Sequence, residues 1–187
     1  MRNPKLKPWL DEGIKRFAFN GLKGLSVKEM AEEIKTATSS FYHYFNTKEE
    51  YLEQLLEYWH EEGSMKIIQD VFLEDEPEEA LRQLFETLLD RNFVHECFLL
   101  QMRAASYENE LFLKQIEETD KIRMLFLTSL LTRTGLKDDL ARKKAEQIYK
   151  HIMGLYACRN LIPMDKEEKK YFFEDLESIF GISLKKG

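Results

Sequence analysis

The chain has 187 residues, of which 43% are hydrophobic and 33% charged, a balance typical of a folded globular protein rather than a disordered one. It has no apolar run near the ~18–20 residues of a membrane span, no visible signal peptide, and two cysteines, Cys97 and Cys158, without zinc-site or disulfide spacing. We therefore expect a cytoplasmic protein that carries neither a metal nor another cofactor.

The net charge of −6 is unevenly distributed along the chain. Residues 1–48 contain nine Lys or Arg and five Asp or Glu, a net charge of +4, whereas residues 49–187 carry a net charge of −10. This asymmetry suggests a basic module carried on an acidic body. The acidic part is also consistent with a solvated surface that has no binding role.

Long stretches of helical periodicity, with only 8 Gly and 4 Pro in the chain, predict an all-α fold of about nine helices. The first four are expected from near Pro8 to Gly21, Ser26 to about Lys35, Thr36 to Tyr44 and Thr47 to Phe72, with Gly63 as a break or kink in the fourth. Five more are expected from Pro77 to about Phe93, Glu96 to Ser106, Asn109 to Arg133, Asp138 to about Leu161 before Pro163, and Lys166 to Phe180.

Two capping signatures mark the most informative stretch. Ser26 is followed three residues later by Glu29, and Thr47 by Glu50, which is the capping-box pattern at a helix start. Between them lie two short amphipathic patterns joined by a tight turn. Their predicted buried faces are Val27, Met30, Ala31 and Ile34 in the first, and Phe41, Tyr44 and Phe45 in the second.

The other face of the second pattern carries hydroxyls and an imidazole but no charged residue. It is formed by Thr38, Ser39, Tyr42 and His43, paired at a spacing of four residues. Two short helices with a turn between them, the second exposing small polar groups, are what reading the DNA major groove requires. An ordinary polar helix surface is the competing interpretation.

At these residues the sequence resembles the TetR family of bacterial transcriptional regulators. The residues that carry the resemblance are Phe17, Gly21, Ser26-Val27, Ala31, Phe41-Tyr42-His43-Tyr44-Phe45 and Lys48-Glu49-Glu50. One departure lies in the turn, where Lys35, Thr36 and Ala37 replace the usual Gly-Val-Ser. The Gly that easily adopts a positive φ is therefore lost, and the predicted N-cap of the second short helix shifts to Thr36.

The resemblance implies a helix-turn-helix DNA-binding domain at residues 1–47 and a helical ligand-binding and dimerisation domain at residues 48–187. Hydroxyls and imidazoles can bind base edges, whereas Lys, tyrosine hydroxyls and helix N-termini serve the phosphates. The candidate DNA contacts are Lys28, Thr36, Thr38, Ser39, Ser40, Tyr42, His43 and Lys48.

In the family that this chain resembles, the last two helices form a homodimer interface and the C-terminal part encloses a small-molecule pocket. The implied interface residues are Ile152, Leu155, Cys158, Phe172, Leu176 and Phe180. The implied pocket candidates are Trp59, Phe85, Leu89, Phe93, Phe98, Met102, Tyr107, Phe126, Tyr149, Met153 and Tyr156. Such a set suits an apolar or amphipathic effector, although aromatic residues at helical spacing are also typical of a core.

The resulting prediction is a ligand-responsive repressor that binds a palindromic operator as a homodimer and is released by a small-molecule effector. One alternative is a dimeric regulator without an effector. The other is a helical metalloenzyme, because Glu57 and His60 have the Glu-x-x-His spacing of helical di-iron sites. Such a site needs a second copy of the motif, which the sequence lacks, so we expect no enzymatic activity.

Overall fold

The computed structural model describes residues 4–90, 93–158, 165–182 and 184, and in these ranges it contains helices and no strand. The N-terminal helices are α1 (Lys7–Asn20), followed by a 3-10 turn (Gly21–Gly24), α2 (Val27–Glu33) and α3 (Thr38–Tyr44). We number as α4 the α-helical segments Lys48–His60 and Lys66–Phe72 with the π-helical segment Glu61–Met65 that joins them. The remaining helices are α5 (Pro77–Asp90), α6 (Phe93–Ala105), α7 (Glu110–Arg133), α8 (Asp138–Cys158) and α9 (Lys166–Ser178). The prediction of an all-α fold with about nine helices is confirmed for these residues.

The predicted break in α4 is confirmed at Gly63, which lies at the centre of the π-helical segment Glu61–Met65. Glycine loosens a helix because it lacks a side chain and leaves the backbone free. A π segment of this kind inserts a residue into the helix and is a recognised cause of helix bending.

Two helix boundaries differ from the predicted ones. α6 begins at Phe93, three residues before the predicted start at Glu96, and α9 ends at Ser178. α9 begins with a complete capping box, in which Asp165 accepts from the Glu168 N–H and Glu168 accepts from the Asp165 N–H. The predicted end of α8 at Leu161 and Pro163 lies outside the described residues.

The chain divides into two compact units. Unit 1 comprises Met1–Gly63 and Val94–Glu117, and unit 2 comprises Ser64–Phe93 and Glu118–Gly187. The boundaries therefore fall inside α4, after the first residue of α6, and inside α7. It describes packing only, so the assignment of DNA binding to residues 1–47 stays a prediction about function.

Aromatic rings fill the interior of unit 1. The ring centroid of Phe17 lies 4.6 Å from that of Phe98 and 5.4 Å from that of Phe112. Trp59 stacks on Phe98 at 5.3 Å. α1 is thereby packed against α6 and the first part of α7, which gives the short N-terminal helices more buried apolar surface than three helices alone could provide.

The core of unit 2 forms where α5, α8 and α9 meet. The rings of Phe85 and Phe172 lie 5.5 Å apart, and His151 stacks on Phe172 at 5.9 Å. Hydrogen bonds join other elements of the unit: the Arg133 guanidinium donates to the carbonyl oxygens of Glu74 and Asp75 at 2.8 and 2.9 Å. In the described part of the chain, no helix is long and apolar enough to span a bilayer.

Candidate DNA-binding site

Both predicted caps begin a helix, and each uses half of the capping-box pattern. The Ser26 hydroxyl accepts from the Glu29 N–H at 3.5 Å, and the Thr47 hydroxyl accepts from the Glu50 N–H at 3.0 Å. The Glu29 carboxylate binds Arg16 at 2.7 Å, and the Glu50 carboxylate accepts from the Asn46 N–H at 2.9 Å. The two glutamates therefore bind other donors and do not return to the N–H groups of the cap residues.

The turn between α2 and α3 corrects the prediction for Thr36. The N-cap of α3 is Ala37, which has no capping side chain, and the helix begins at Thr38 rather than at Thr36. The Thr36 N–H instead donates to the Ala31 carbonyl at 2.9 Å, while the Lys35 N–H donates to the Glu32 carbonyl at 3.3 Å. These two bonds define a Schellman motif that ends α2, with Lys35 in the left-handed position at φ 56°.

The buried side of α3 rests on an aromatic cluster. Phe41 is fully buried, and its ring lies 5.3 Å from Trp9, 4.9 Å from Phe45 and 5.0 Å from Tyr51. The Tyr51 hydroxyl donates to the Trp9 carbonyl at 2.9 Å, which ties α4 to α1 beneath α3. This cluster holds the helix in a fixed orientation.

Gly13 makes this arrangement possible, although it was not among the predicted site residues. A Cβ atom at this position would lie 1.9 Å from the Tyr51 hydroxyl oxygen. Gly13 therefore lets α1 approach Tyr51 closely enough for the hydroxyl to reach the Trp9 carbonyl. The available sequence signal was a glycine in the interior of an amphipathic helix, which usually has a packing reason.

The predicted DNA-contacting side chains lie on the surface. Of the eight, only Ser40 is half-buried; the others are exposed, and Tyr42 is 56% exposed. Within the described ranges, none of the eight makes a side-chain hydrogen bond or an ion pair, although Tyr42 and His43 have ring contacts. The polar face of α3 is thus available to an outside partner.

The cations from Lys7 to Lys48 fall into two groups. On α1, Lys7 binds Asp11, Lys15 lies 3.6 Å from Glu12, and Arg16 binds Glu12 and Glu29. Hydrogen bonds to Tyr58, the larger cause, and to Asp11 raise the pKa of Lys7. The four lysines without a carboxylate within 4 Å, among the residues described, are Lys23, Lys28, Lys35 and Lys48. The unneutralised positive charge therefore borders α2 and α3.

Comparison with known proteins relates these helices to those of bacterial transcriptional regulators. Residues 10–55 match the family model of the bacterial regulatory proteins of the tetR family. Over 139 residues the chain is 29% identical to an uncharacterized HTH-type transcriptional regulator, YuxN, of Bacillus subtilis (strain 168). In its N-terminal region the chain therefore resembles the TetR family of bacterial transcriptional regulators. The match to YuxN covers 71% of this chain and 47% of the relative, so the chain spans about half of that protein's length.

Solved structures of TetR-type regulators share the fold. A TetR transcription regulator from Haloarcula marismortui ATCC 43049 is 22% identical, with a TM-score of 0.73 and coverage of 90% of this chain and 92% of that one. A transcriptional regulator from Saccharomonospora viridis in complex with choline is 15% identical, with a TM-score of 0.76 and coverage of 92% and 95%. At these identities the likeness concerns the fold alone.

The predicted pocket residues divide between the two units. In unit 1, Trp59, Phe98 and Met102 are buried, and the Trp59–Phe98 stack makes them part of its core, whereas Tyr107 is 91% exposed. In unit 2, Phe85, Leu89 and Tyr156 are buried, and Phe126, Tyr149 and Met153 are half-buried. The Phe93 side chain lies outside the described residues.

Polar groups accompany the half-buried members of the set in unit 2. The Tyr149 hydroxyl donates to Asp120 at 2.6 Å, and the Arg123 guanidinium donates to the Ser64 hydroxyl at 2.8 and 3.0 Å. A groove of about 370 Å³ in unit 1 is lined by residues outside the predicted set, including Leu6, Leu10 and Tyr58. The predicted pocket residues therefore remain candidates.

The residues predicted for the dimer interface are mostly covered by the chain itself. Ile152, Phe172, Leu176 and Phe180 are buried, Leu155 is half-buried and Cys158 is exposed. All four lie inside unit 2: Phe172 packs against Phe85 of α5, and the Phe180 ring lies 5.4 Å from that of His151 on α8. A second chain could reach only the outer face of these helices.

In the ranges described, no three His, Cys, Asp or Glu side chains are placed to hold a metal ion. Glu57 and His60 lie on α4 in unit 1, where Glu57 is exposed and His60 is half-buried.

Proposed function

We propose that this chain is a TetR-type repressor that binds a palindromic operator as a homodimer and is released from it by a small-molecule effector. The single observation that supports DNA binding best is the polar face of α3, exposed and without internal hydrogen bonds while Phe41 and Tyr51 anchor the opposite face.

On this proposal, Thr38, Ser39, Ser40 and His43 read base edges, because hydroxyls and imidazole can both donate and accept hydrogen bonds there. Tyr42, Lys28 and Lys48 bind the phosphate backbone, which fixes the register of the protein on the duplex. Two copies of α3 then fit half-sites ~34–36 Å apart, or a multiple of that distance.

Duplex selection tests the DNA-binding proposal directly. The chain is incubated with a pool of random duplexes, and the bound fragments are sequenced. We expect an enriched sequence with two-fold symmetry, bound with an affinity that falls steeply as salt rises. A failure to bind any duplex at low ionic strength, or binding that does not respond to salt, would disprove it.

For dimerisation, we propose the outer face of α8 and α9. The exposed or half-buried residues there are Gly154, Leu155, Ala157, Cys158 and Tyr171. A Cβ atom added at Gly154 would have no neighbouring atom within 4 Å, so there is room for another helix to approach closely. Residues on one face of both helices can meet their own copies across a two-fold axis.

The effector is proposed to bind in the C-terminal part of the chain. A solved relative of similar fold contains choline, and Tyr149, Met153 and Phe126 here offer the aromatic and thioether groups that suit cationic or apolar ligands. Release requires that the effector bind the DNA-free state more tightly than the DNA-bound state.

Thermal-shift measurements with choline and with a series of apolar compounds test this part. A ligand that binds the native state raises the unfolding midpoint by mass action, and at the same concentration it should weaken binding to the selected operator. If no compound in either class changes the midpoint, the alternative of a dimeric regulator without an effector replaces the proposal.

A further inference from the structure

The backbone of Lys35 is in a conformation that its residue type does not favour. Lys35 is the sole non-glycine residue with a positive φ among the described residues, at 56°. In this left-handed region the Cβ atom crowds the following carbonyl oxygen, and glycine escapes the penalty because it has no Cβ. Asn and Asp tolerate it through local hydrogen bonds of their short side chains, which a lysine cannot form.

The Lys35 side chain makes no contact, among the described residues, that stabilises the turn. The two hydrogen bonds of the Schellman motif use the backbone N–H groups of Lys35 and Thr36, so any residue could supply them. The Lys35 side chain is exposed, and within the part of the chain that the structure describes it has no carboxylate within 4 Å. Glycine would serve the turn better.

The position of Lys35 next to the predicted DNA-binding helices suggests a role for its side chain in binding DNA. Lys28 lies in the first turn of α2, Lys35 follows its end, and Lys48 is the first residue of α4. These three lysines without ion pairs thus bracket α2 and α3. An exposed ammonium is a compact, hydrated point charge and is well suited to a phosphate oxygen.

We propose that Lys35 binds a backbone phosphate of the DNA beside the half-site, and that the strained turn persists because this contact requires a cation at that point of the chain. The inference rests on the proposed DNA-binding function and adds a residue to it. Local backbone strain retained at a binding surface is a known pattern, in which binding and not folding supplies the reason.

The positive charge of Lys35 has a second physical interpretation, which involves folding and not DNA. A cation beyond the C-terminus of α2 also interacts favourably with the helix dipole. That role and the phosphate contact predict different results for variants that remove the charge, so one set of variants separates them.

The experiment uses Lys35→Gly and Lys35→Asn, both of which tolerate a positive φ without the charge, with Lys48→Gln as a comparison at a proposed contact. Lys114→Gln, an exposed lysine of α7 without an ion pair among the described residues, is the matched control. Affinity for a fluorescently labelled mixed-sequence duplex is measured at several salt concentrations, and thermal unfolding is measured in parallel.

We expect Lys35→Gly to raise the unfolding midpoint by about 2 °C through relief of strain. Both Lys35 variants should reduce the slope of log affinity against log salt by about 0.9, the contribution of one phosphate. Lys114→Gln should leave the slope unchanged. Greater stability with weaker, less salt-dependent binding is the combination that a structural role cannot produce.

The failures are distinguishable. If Lys48→Gln lowers the slope and the two Lys35 variants keep the wild-type slope, Lys35 contacts no phosphate and this inference is wrong while DNA binding stands. If Lys35→Gly destabilises the protein and keeps the slope, the helix-dipole role is correct instead. If the wild-type chain binds no duplex, the proposed function fails and the inference fails with it.

Discussion

At the scale of single residues, the candidate site separates side chains by the partner that their chemistry suits. His43 offers a donor and an acceptor in one ring on the exposed face of α3. Lys48 offers a charge at the first residue of α4. Base edges differ from one sequence to another, whereas phosphates are the same everywhere, so the two residues should differ in what their loss does.

We predict that His43→Ala changes the preferred base at one position of each half-site, at a cost of about 1–3 kcal/mol for the original sequence. Lys48→Ala should instead weaken binding to all sequences about equally. The measurement is the affinity for the selected operator and for a panel of single-base variants of it. Uniform losses for both substitutions would contradict the division of roles.

Tyr51 links the site to pH, because burial raises the pKa of its hydroxyl above the ordinary value near 10. A buried phenol keeps its proton in the folded state at a pH where the unfolded chain has released it. The stabilisation is therefore complete below about pH 10 and is lost as pH rises towards the folded-state pKa.

We predict that the free energy of unfolding falls with pH above about pH 10 more steeply in the wild type than in Tyr51→Phe, by about 1.4 kcal/mol per pH unit. Urea unfolding at a series of alkaline pH values measures this difference. Below pH 9 the variant should be less stable by about 1 kcal/mol, because it lacks the hydrogen bond to the Trp9 carbonyl. Parallel pH profiles would show that the Tyr51 hydroxyl is accessible to water.

At the scale of the secondary-structure elements, the close approach of α1 and α4 depends on the absence of a side chain. Alanine normally stabilises a helix interior relative to glycine by about 1 kcal/mol. At position 13 the added methyl group would lie 1.9 Å from the Tyr51 oxygen, and 3.0 Å from a Leu55 methyl carbon. The steric cost should exceed the gain in helix propensity.

We predict that Gly13→Ala destabilises the protein by about 1–3 kcal/mol, the usual cost of overpacking. In the Tyr51→Phe background the same change should cost less, because the nearest clashing atom is gone, and a double-mutant cycle measures that coupling. Gly154→Ala is the control, since a Cβ atom added there would have no neighbouring atom within 4 Å, and it should stabilise α8. A neutral or stabilising Gly13→Ala would mean that the helices can separate at no cost.

At the scale of the whole molecule, the helix faces that the chain itself buries differ from the exposed faces that a second chain could cover. The inner faces of α8 and α9 are already occupied by the chain itself, through contacts such as Phe85 with Phe172. The proposed dimer surface is consequently the outer face around Gly154. A large charged residue there has room in one chain and no room in a close helix pair.

We predict that Gly154→Arg raises the dimer dissociation constant by about tenfold or more, because the guanidinium would be desolvated or would clash at the interface. Sedimentation equilibrium measures the constant, and Gly154→Ala, which adds a single methyl group, should raise it much less. Circular dichroism should show an intact helical fold in both variants. Equal association of the two variants would place the interface elsewhere.

Much of the fold could be predicted because it depends on local chemistry. The hydroxyls of Ser26 and Thr47 cap α2 and α4 through neighbouring N–H groups, and Gly63 lies where α4 is interrupted. The exposure of Tyr42 and His43 follows from their place opposite Phe41 and Phe45 on a short amphipathic helix. Each of these features involves residues within one or two turns of each other.

Predictions about individual hydrogen-bond partners were less complete, even where the partners are close in the chain. The second half of each capping box failed because Arg16 and Asn46 bind the glutamates. Thr36 does not cap α3, since its N–H closes the Schellman motif with Ala31 and Ala37 takes the cap position. In both cases another hydrogen bond, which the capping pattern does not reveal, replaces the predicted one.

The sequence by itself determined the helices, their amphipathic faces and the resemblance to TetR-type regulators, because helix periodicity and caps are local properties of the chain. Only the tertiary structure decided which of those faces were already covered: Trp59 and Phe98 stack in the core of unit 1, and Phe172 and Leu176 are buried in unit 2. It also showed that Lys35 accepts a left-handed backbone and that Gly13 makes room for Tyr51. Burial and close approach are set by residues far apart in the chain, and no local pattern contains that information.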